Sequence, residues 1–125
     1  MYANKEALYA ALDRMVANLN QSDAFLQRIE RADVSVGFVV SDLNAEYTMA
    51  LRKSQAFGAI GGAAKATIAV TLNAATLDAL LAAEMSGESA YNAGRLQLRG
   101  DEWTGEIVAG YLYHIAPAYK AARDA

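Results

Sequence analysis

The stretch from Lys65 to Gly100, KATIAVTLNAATLDALLAAEMSGESAYNAGRLQLRG, constrains the fold more than any other part of the chain. From Lys65 to Leu72 the side chains alternate. Ala66, Ile68, Val70 and Leu72 point one way, and Lys65, Thr67, Ala69 and Thr71 point the other, which is the period of a half-buried strand. Asn73 offers a side-chain oxygen to the free N–H groups of a helix start. Leu77, Leu80, Leu81 and Met85 follow at helical spacing as one apolar stripe. Gly87 is suited to the left-handed conformation that ends a helix. A short helix follows, and Arg95–Arg99 returns to period two between Gly94 and Gly100. A greasy helix between two strands, each with one apolar face, predicts that helix lying on a sheet.

The same stretch resembles the sterol carrier protein two family of small lipid-binding domains. The likeness rests on the alternating strand Thr67–Leu72, the polar cap Asn73, the helix stripe of Leu77, Leu80 and Leu81, the Ala90-Tyr91 pair, and Gly94-Arg95-Leu96-Gln97-Leu98-Arg99-Gly100. The spacing from cap to last glycine fits without a gap. The family often has glycine where this chain has Ala83, so the helix is expected to run a turn longer here, to Met85. The resemblance implies a hydrophobic tunnel between sheet and helices.

At 125 residues the chain is long enough for one real core, and 1–125 is expected to be a single domain. A net charge of −3 gives no bulk attraction to nucleic acid. The absence of cysteine excludes disulfides, thiolate catalysis and cysteine metal sites. The N-terminal MYANKEALYAALDR is an amphipathic helix pattern rather than a signal peptide. No apolar run approaches the length of a membrane span, and the terminal Ala-Arg-Asp-Ala is not a peroxisomal address. A cytoplasmic protein without stable membrane insertion is expected.

Leu8, Leu12, Met15, Val16 and Leu19 form a single stripe on a helix over Lys5–Asn20. Ser22 caps a second helix, Asp23–Glu30. Asp33–Val40 and Ala45–Lys53 are strands of a hairpin turned by Ser41–Asn44. Ser54–Ala64 is irregular, with a short third strand at Phe57–Ile60, the place where the family has one. Asp101 caps a last helix running to Ile115, and Pro117 is expected to stop or kink it near Ala116, with a short tail helix to Arg123.

Residues able to carry chemistry are few. His114 is the only histidine, and no nucleophile motif accompanies it, so it reads as a helix residue rather than a general base. Asp101, Glu102 and Glu106 open a helix, where negative charge is favoured by the helix dipole. Gly58–Lys65, GAIGGAAK, lacks the Gly-Lys-Ser/Thr ending of a phosphate loop and precedes a strand. Arg52, Lys65, Arg95 and Arg99 fall on polar strand faces, where they are solvated or hold a lipid phosphate or a partner. Asp78 and Glu84, the acids nearest the apolar stripe, lie beside it. No metal site, cofactor or catalytic residue is expected.

What remains is apolar. Met49, Leu51, Phe57, Ile68, Val70, Leu77, Leu81, Met85, Trp103, Ile107 and Tyr111 are the candidate ligand-contacting residues. On residue type alone they fit a plain core or a dry cavity equally well, and the resemblance favours the cavity. Trp103, Ile107 and Tyr111 share one helix face and are expected to meet the stripe and the sheet at a gap. The expected fold is α+β: an N-terminal helix, a mostly antiparallel sheet of about five strands, and helices over one face. The strand after the central helix is free to pair in parallel, since a helical crossover permits it. The expected function is non-catalytic binding or transfer of a fatty acid, fatty acyl, sterol-like or isoprenoid lipid. An accessory protein beside a lipid-modifying enzyme is the alternative, and a small enzyme on an apolar substrate is the third. The expected partners are the lipid and either a second copy or an enzyme, not nucleic acid.

Overall fold

The computed structural model describes residues 2–125; Met1, which begins the amphipathic N-terminal stretch, lies outside them. The fold is α+β, with an N-terminal helix and a mixed five-stranded sheet. The helices are α1 (Lys5–Leu19), α2 (Asp23–Arg28), α3 (Ala74–Leu81), α4 (Gly87–Asn92), α5 (Glu102–Gly110) and α6 (Leu112–Arg123). The strands are β1 (Asp33–Val40), β2 (Ala45–Arg52), β3 (Gln55–Ile60), β4 (Ile68–Leu72) and β5 (Leu96–Arg99), in spatial order β3-β2-β1-β4-β5.

Short polar side chains start the helices. Asn4, Ser22, Asn73, Ser86 and Asp101 each accept the backbone N–H three residues on, at 2.8–3.2 Å. Each satisfies a donor that the first helical turn leaves free. Helix α3 ends earlier than the Ala83-for-Gly argument suggests. It stops at Leu81, and Ala83 takes the left-handed conformation (φ 58°). Glu84 N donates to Ala79 O at 2.8 Å and Ala83 N to Leu80 O at 3.0 Å. These are the paired bonds of a Schellman ending, formed at alanine although glycine costs less there. Gly87 does not end a helix; it opens α4 behind the Ser86 cap.

The last helix also departs from expectation. The break falls at Tyr111, after Gly110, and Pro117 lies inside α6. Tertiary bonds carry α6 past its missing donor. Asn18 Nδ2 donates to Ala118 O (3.1 Å) and Arg14 Nε to Ala122 O (3.0 Å), both from α1. Tyr119 is fully buried against the same core.

Strands β1–β2, β2–β3 and β4–β5 pair antiparallel, and β1–β4 pair in parallel. The strand that pairs in parallel is thus β4, before the central helix, and not β5 after it. The chain reaches this place beside β1 by a crossover from β3. That crossover runs over the polar sheet face. A Cβ on Gly37 would stand 2.7 Å from Ala63 Cα, so glycine is what allows the chain to lie there. Thr48 Oγ1 donates to Gly61 O (2.6 Å), Ala63 N to Glu46 Oε2 (3.0 Å), and Arg99 Nη2 to both Ala63 O and Ala66 O (2.9 Å each). Lys65, the first residue of the expected fourth strand, instead ends a 3-10 turn, Ala63–Lys65, and β4 begins at Ile68. Between β2 and β3 a two-residue turn, Lys53–Ser54, has both φ values positive (53° and 56°), so β3 starts at Gln55 instead of Phe57.

The other sheet face is apolar throughout its width. Leu51, Met49 and Tyr47 on β2 stand beside Val34, Val36 and Phe38 on β1, then Ile68, Val70 and Leu72 on β4, and Leu98 and Leu96 on β5. Helix α1 covers the β2–β3 side and packs along α6, while α3, α4 and α5 stand over the β4–β5 side. A one-residue slip would reverse these faces. Ile68 and Leu96 are buried while Thr67 and Arg95 are exposed, as the alternation predicts.

A half-open apolar cavity between sheet and helices

The two halves of the apolar sheet face are filled differently. Under α1, side chains interlock: Leu8, Leu12, Met15, Leu19, Met49 and Leu51 are at most 1% exposed. On the other half a half-open cavity of about 640 Å³ remains. Its floor is Val36, Phe38, Ile68, Val70, Leu96 and Leu98. Leu77, Leu80, Leu81 and Met85 form one wall, and Val108, Ala109 and Leu112 the other. Glu88, Glu102 and Glu106 stand at its rim with Tyr91 and Tyr113. This size falls within the range of small-molecule sites, about 300–1,000 Å³, and the lining is apolar with charge only at the edge.

Five of the sequence candidates line this space: Ile68, Val70, Leu77, Leu81 and Met85. Six do not. Met49 and Leu51 belong to the packed half beneath α1. Phe57 is on the opposite sheet face of β3 and is 44% exposed. Tyr111 sits half-buried at the α5–α6 junction. Trp103 and Ile107, 68% and 44% exposed, look outward from α5. The helix instead turns Gly105, Val108 and Ala109 inward, at positions i, i+3 and i+4, and Leu112 at the start of α6 joins them. The small face fits because α5 runs close to β5: a Cβ on Gly105 would stand 3.3 Å from Leu98 Cδ2. Val36 and Phe38 of β1 were missed as lining because nothing local marks β1 as the neighbour of β4. Leu96 and Leu98 were legible as an inward pair.

Polar groups elsewhere are engaged in structure. Asp78 accepts the Tyr119 hydroxyl at 2.6 Å and Arg123 Nη1 at 3.2 Å, and Tyr119 in turn meets the Tyr2 hydroxyl at 2.8 Å. This network ties the N-terminal segment, α3 and α6 together, which leaves Asp78 a structural carboxylate. Burial, then the hydrogen bond to Asp78, raises the Tyr119 phenol above its ordinary pKa. Burial raises Tyr47 likewise, aided by its bond to Asp13. His114 is exposed on α6. Among the described residues, no group of three or more His, Cys, Asp or Glu could hold a metal ion. Nor is any helix among them long and apolar enough to cross a membrane.

The sequence matches the alkyl sulfatase C-terminal family over residues 5–121. The chain belongs to that family. Three solved structures place this alkyl sulfatase C-terminal chain by fold. The sterol carrier protein domain 2 of Helicoverpa armigera is 12% identical with a TM-score of 0.72, covering 94% of both chains. The ubiquinone synthesis protein UbiJ-SCP2 is 17% identical with a TM-score of 0.69, covering 94% of this chain and 96% of that one. The stereoselective inverting sec-alkylsulfatase Pisa1 from Pseudomonas sp. is 22% identical with a TM-score of 0.56, covering 85% of this chain. The chain spans about 14% of the length of that sulfatase. At these identities the likeness is one of fold, and the fold is that of sterol carrier protein 2. No curated protein matches the sequence significantly.

Proposed function

We propose that this alkyl sulfatase C-terminal domain binds an apolar ligand non-covalently in the cavity between β1, β4 and β5 and helices α3 and α5. The ligand class is a fatty acid, fatty acyl, sterol-like or isoprenoid lipid, and the domain does no chemistry on it. The observation that carries this reading is the unfilled, apolar-lined space of about 640 Å³ beside a sheet half that is otherwise packed. Burying hydrocarbon yields roughly 0.8 kcal/mol per CH₂. A 12-carbon chain therefore gains on the order of 8–10 kcal/mol before ordering costs, and no catalytic group is needed.

Isothermal titration with saturated fatty acids of rising length tests it. Each added CH₂ should tighten binding about fourfold until the cavity is full. Leu81→Lys should weaken binding more than Leu81→Ala, because a buried unpaired ammonium is costly. His114→Ala should leave affinity within about tenfold, a change of at most about 1.4 kcal/mol. No binding by any chain length, with no lipid retained in native mass spectrometry, would end the reading.

A second reading makes the domain an accessory that presents lipid to an enzyme, or docks on one. It rests on the family match and on a sulfatase chain about seven times longer than the region it shares with this one. Co-purification of a catalytic chain would favour it over independent transfer or a homodimer.

A further inference from the structure

We infer that strand β3 is an interface between two copies of this chain: the free edge of one β3 pairs antiparallel with that of the other, about a two-fold axis at Ala59. The inference is independent of what the cavity holds.

The sheet has two edges, β3 and β5. Strand β5 has only four residues and ends in Arg99, and both shortness and charge keep an edge from pairing. Strand β3 has six residues, Gln55–Ile60, with no charge and no proline, and five of the six are exposed. Ala56 N donates to Asn20 Oδ1, and Asn20 Nδ2 donates to Ala56 O, both at 2.8 Å. Ala56 thus turns its N–H and C=O away from β2, and the Asn20 amide stands in for a neighbouring strand. Antiparallel pairing alternates these directions, so Gly58 and Ile60 also face outward. Gly61, one step further, faces inward and donates to Glu46 O at 2.8 Å, as the alternation requires. No side chain or loop among the described residues engages the outward groups of Gly58 and Ile60.

One register joins those groups to their own counterparts. With Ala59 facing the partner's Ala59, Gly58 and Ile60 meet at both ends of the pair, and four hydrogen bonds close. Directly opposite residues share a sheet face, so the side chains can be matched. Phe57, 44% exposed, lies opposite the partner's Gly61, which has open space beside it. Ile60, 64% exposed, lies opposite the partner's Gly58, where the end of the Tyr47 ring gives it a surface to pack on. Strand β3 carries no charge, so no like charges are set against each other. At Gly61 and Gly62 the chain leaves the edge with φ of 84° and 80°, which clears the place opposite Ala56 that Asn20 fills.

This self-match selects a second copy over an unrelated strand. The pair closes on itself, because an isologous contact uses the one open edge of each copy. Six residues a side make a small interface, below the roughly 1,200 Å² of standard complexes, so the association is weak and concentration-dependent.

Sedimentation equilibrium of the whole chain, from about 10 μM to about 1 mM, should show the mass rising from one chain toward two. Ile60→Lys should stay monomeric over the same range with an unchanged melting temperature. Ile60→Pro, which removes one outward N–H, should also stay monomeric. The chain has no cysteine, so Ala59→Cys supplies a single thiol. Facing residues of a non-hydrogen-bonded pair stand about 4.5 Å apart at Cα. That lies within the usual disulfide range of roughly 4.4–6.8 Å, so mild oxidation should cross-link Ala59→Cys in high yield. Ala93→Cys, exposed beside the opposite edge of the sheet, should cross-link far less. A wild-type chain that remains monomeric at the highest concentration overturns the inference. So does a dimer that survives Ile60→Lys, an assembly larger than two, or equal cross-linking of the two cysteine variants.

Discussion

The hydroxyl of Tyr47 occupies the space that a side chain on Gly58 would take. Tyr47 lies on β2, its ring passes over β3 at Gly58, and its hydroxyl donates to Asp13 Oδ1 on α1 at 2.8 Å. Gly58 is therefore a passage for an aromatic side chain, and that accounts for the glycine in a segment superficially like a phosphate loop. Gly58→Ala should destabilise the fold by about 1–3 kcal/mol through overpacking. Tyr47→Phe alone should cost about 0.5–1.5 kcal/mol, the worth of one hydrogen bond. The double variant should cost less than the sum, since removing the hydroxyl makes room for the methyl group. Urea midpoints of the four proteins measure this; strict additivity would mean the two residues do not compete for space.

Stability should fall in alkaline solution. Burial raises the phenols of Tyr47, Tyr119 and Tyr2 above their ordinary value of 10.0. A raised folded-state pKa means the folded protein holds the proton more tightly than the unfolded chain. That contribution is complete below pH 10 and is lost as pH climbs above it toward the folded-state values. Urea midpoints between pH 8 and pH 11 should be flat at first and then decline. Tyr119→Phe should be less stable than wild type at pH 8 and should decline less steeply. A decline equally steep without Tyr119 would assign the alkaline transition elsewhere.

Ala83→Gly should stabilise the protein, by about 0.5–1 kcal/mol. Ala83 holds a left-handed φ of 58° at the end of α3, a conformation that costs an L-residue roughly 1–2 kcal/mol. Glycine removes that strain but loses more entropy on folding, which trims the gain. Thermal melts of the two proteins decide the sign.

Two apolar truncations should differ according to which half of the sheet they touch. Leu12→Ala, in the interlocked half under α1, should cost about 2–5 kcal/mol. Ile68→Ala should cost less in the ligand-free protein, because one side of Ile68 already faces the cavity and has fewer contacts to lose. Adding a bound fatty acid should widen the loss at Ile68. Equal costs without ligand would indicate that the cavity is collapsed in solution.

Features set within a few residues were legible in the sequence. Ser22, Asn73 and Asp101 cap helices because the oxygen and the N–H it accepts are three residues apart. The inward set Ile68, Val70, Leu72, Leu96 and Leu98 follows from the pleat alone. The parallel pairing of β1 with β4 was not legible. It depends on a crossover held by Arg99, Glu46 and Gly37, residues far apart in the chain. The left-handed Ala83 was hidden because alanine is the residue least suggestive of a helix end. Two of the six candidates that do not line the cavity, Trp103 and Ile107, share one reason. Helix α5 has apolar residues on two faces, and size favoured Trp103 and Ile107, whereas the smaller Gly105, Val108 and Ala109 face the sheet. Distance of approach, which no local pattern records, decides between such faces.

Among the described residues, none in α5 is buried, although this helix walls the cavity. A segment with so little buried surface detaches at a small fraction of the free energy needed to unfold the whole domain. If the cavity takes a guest as proposed, the time the guest remains inside should follow the excursions of nine residues, Glu102–Gly110, rather than the durability of the sheet beneath. Substitutions that harden the α1 side against heat would leave exchange with the surroundings untouched. Retention and robustness would then be separate properties, adjustable one without the other.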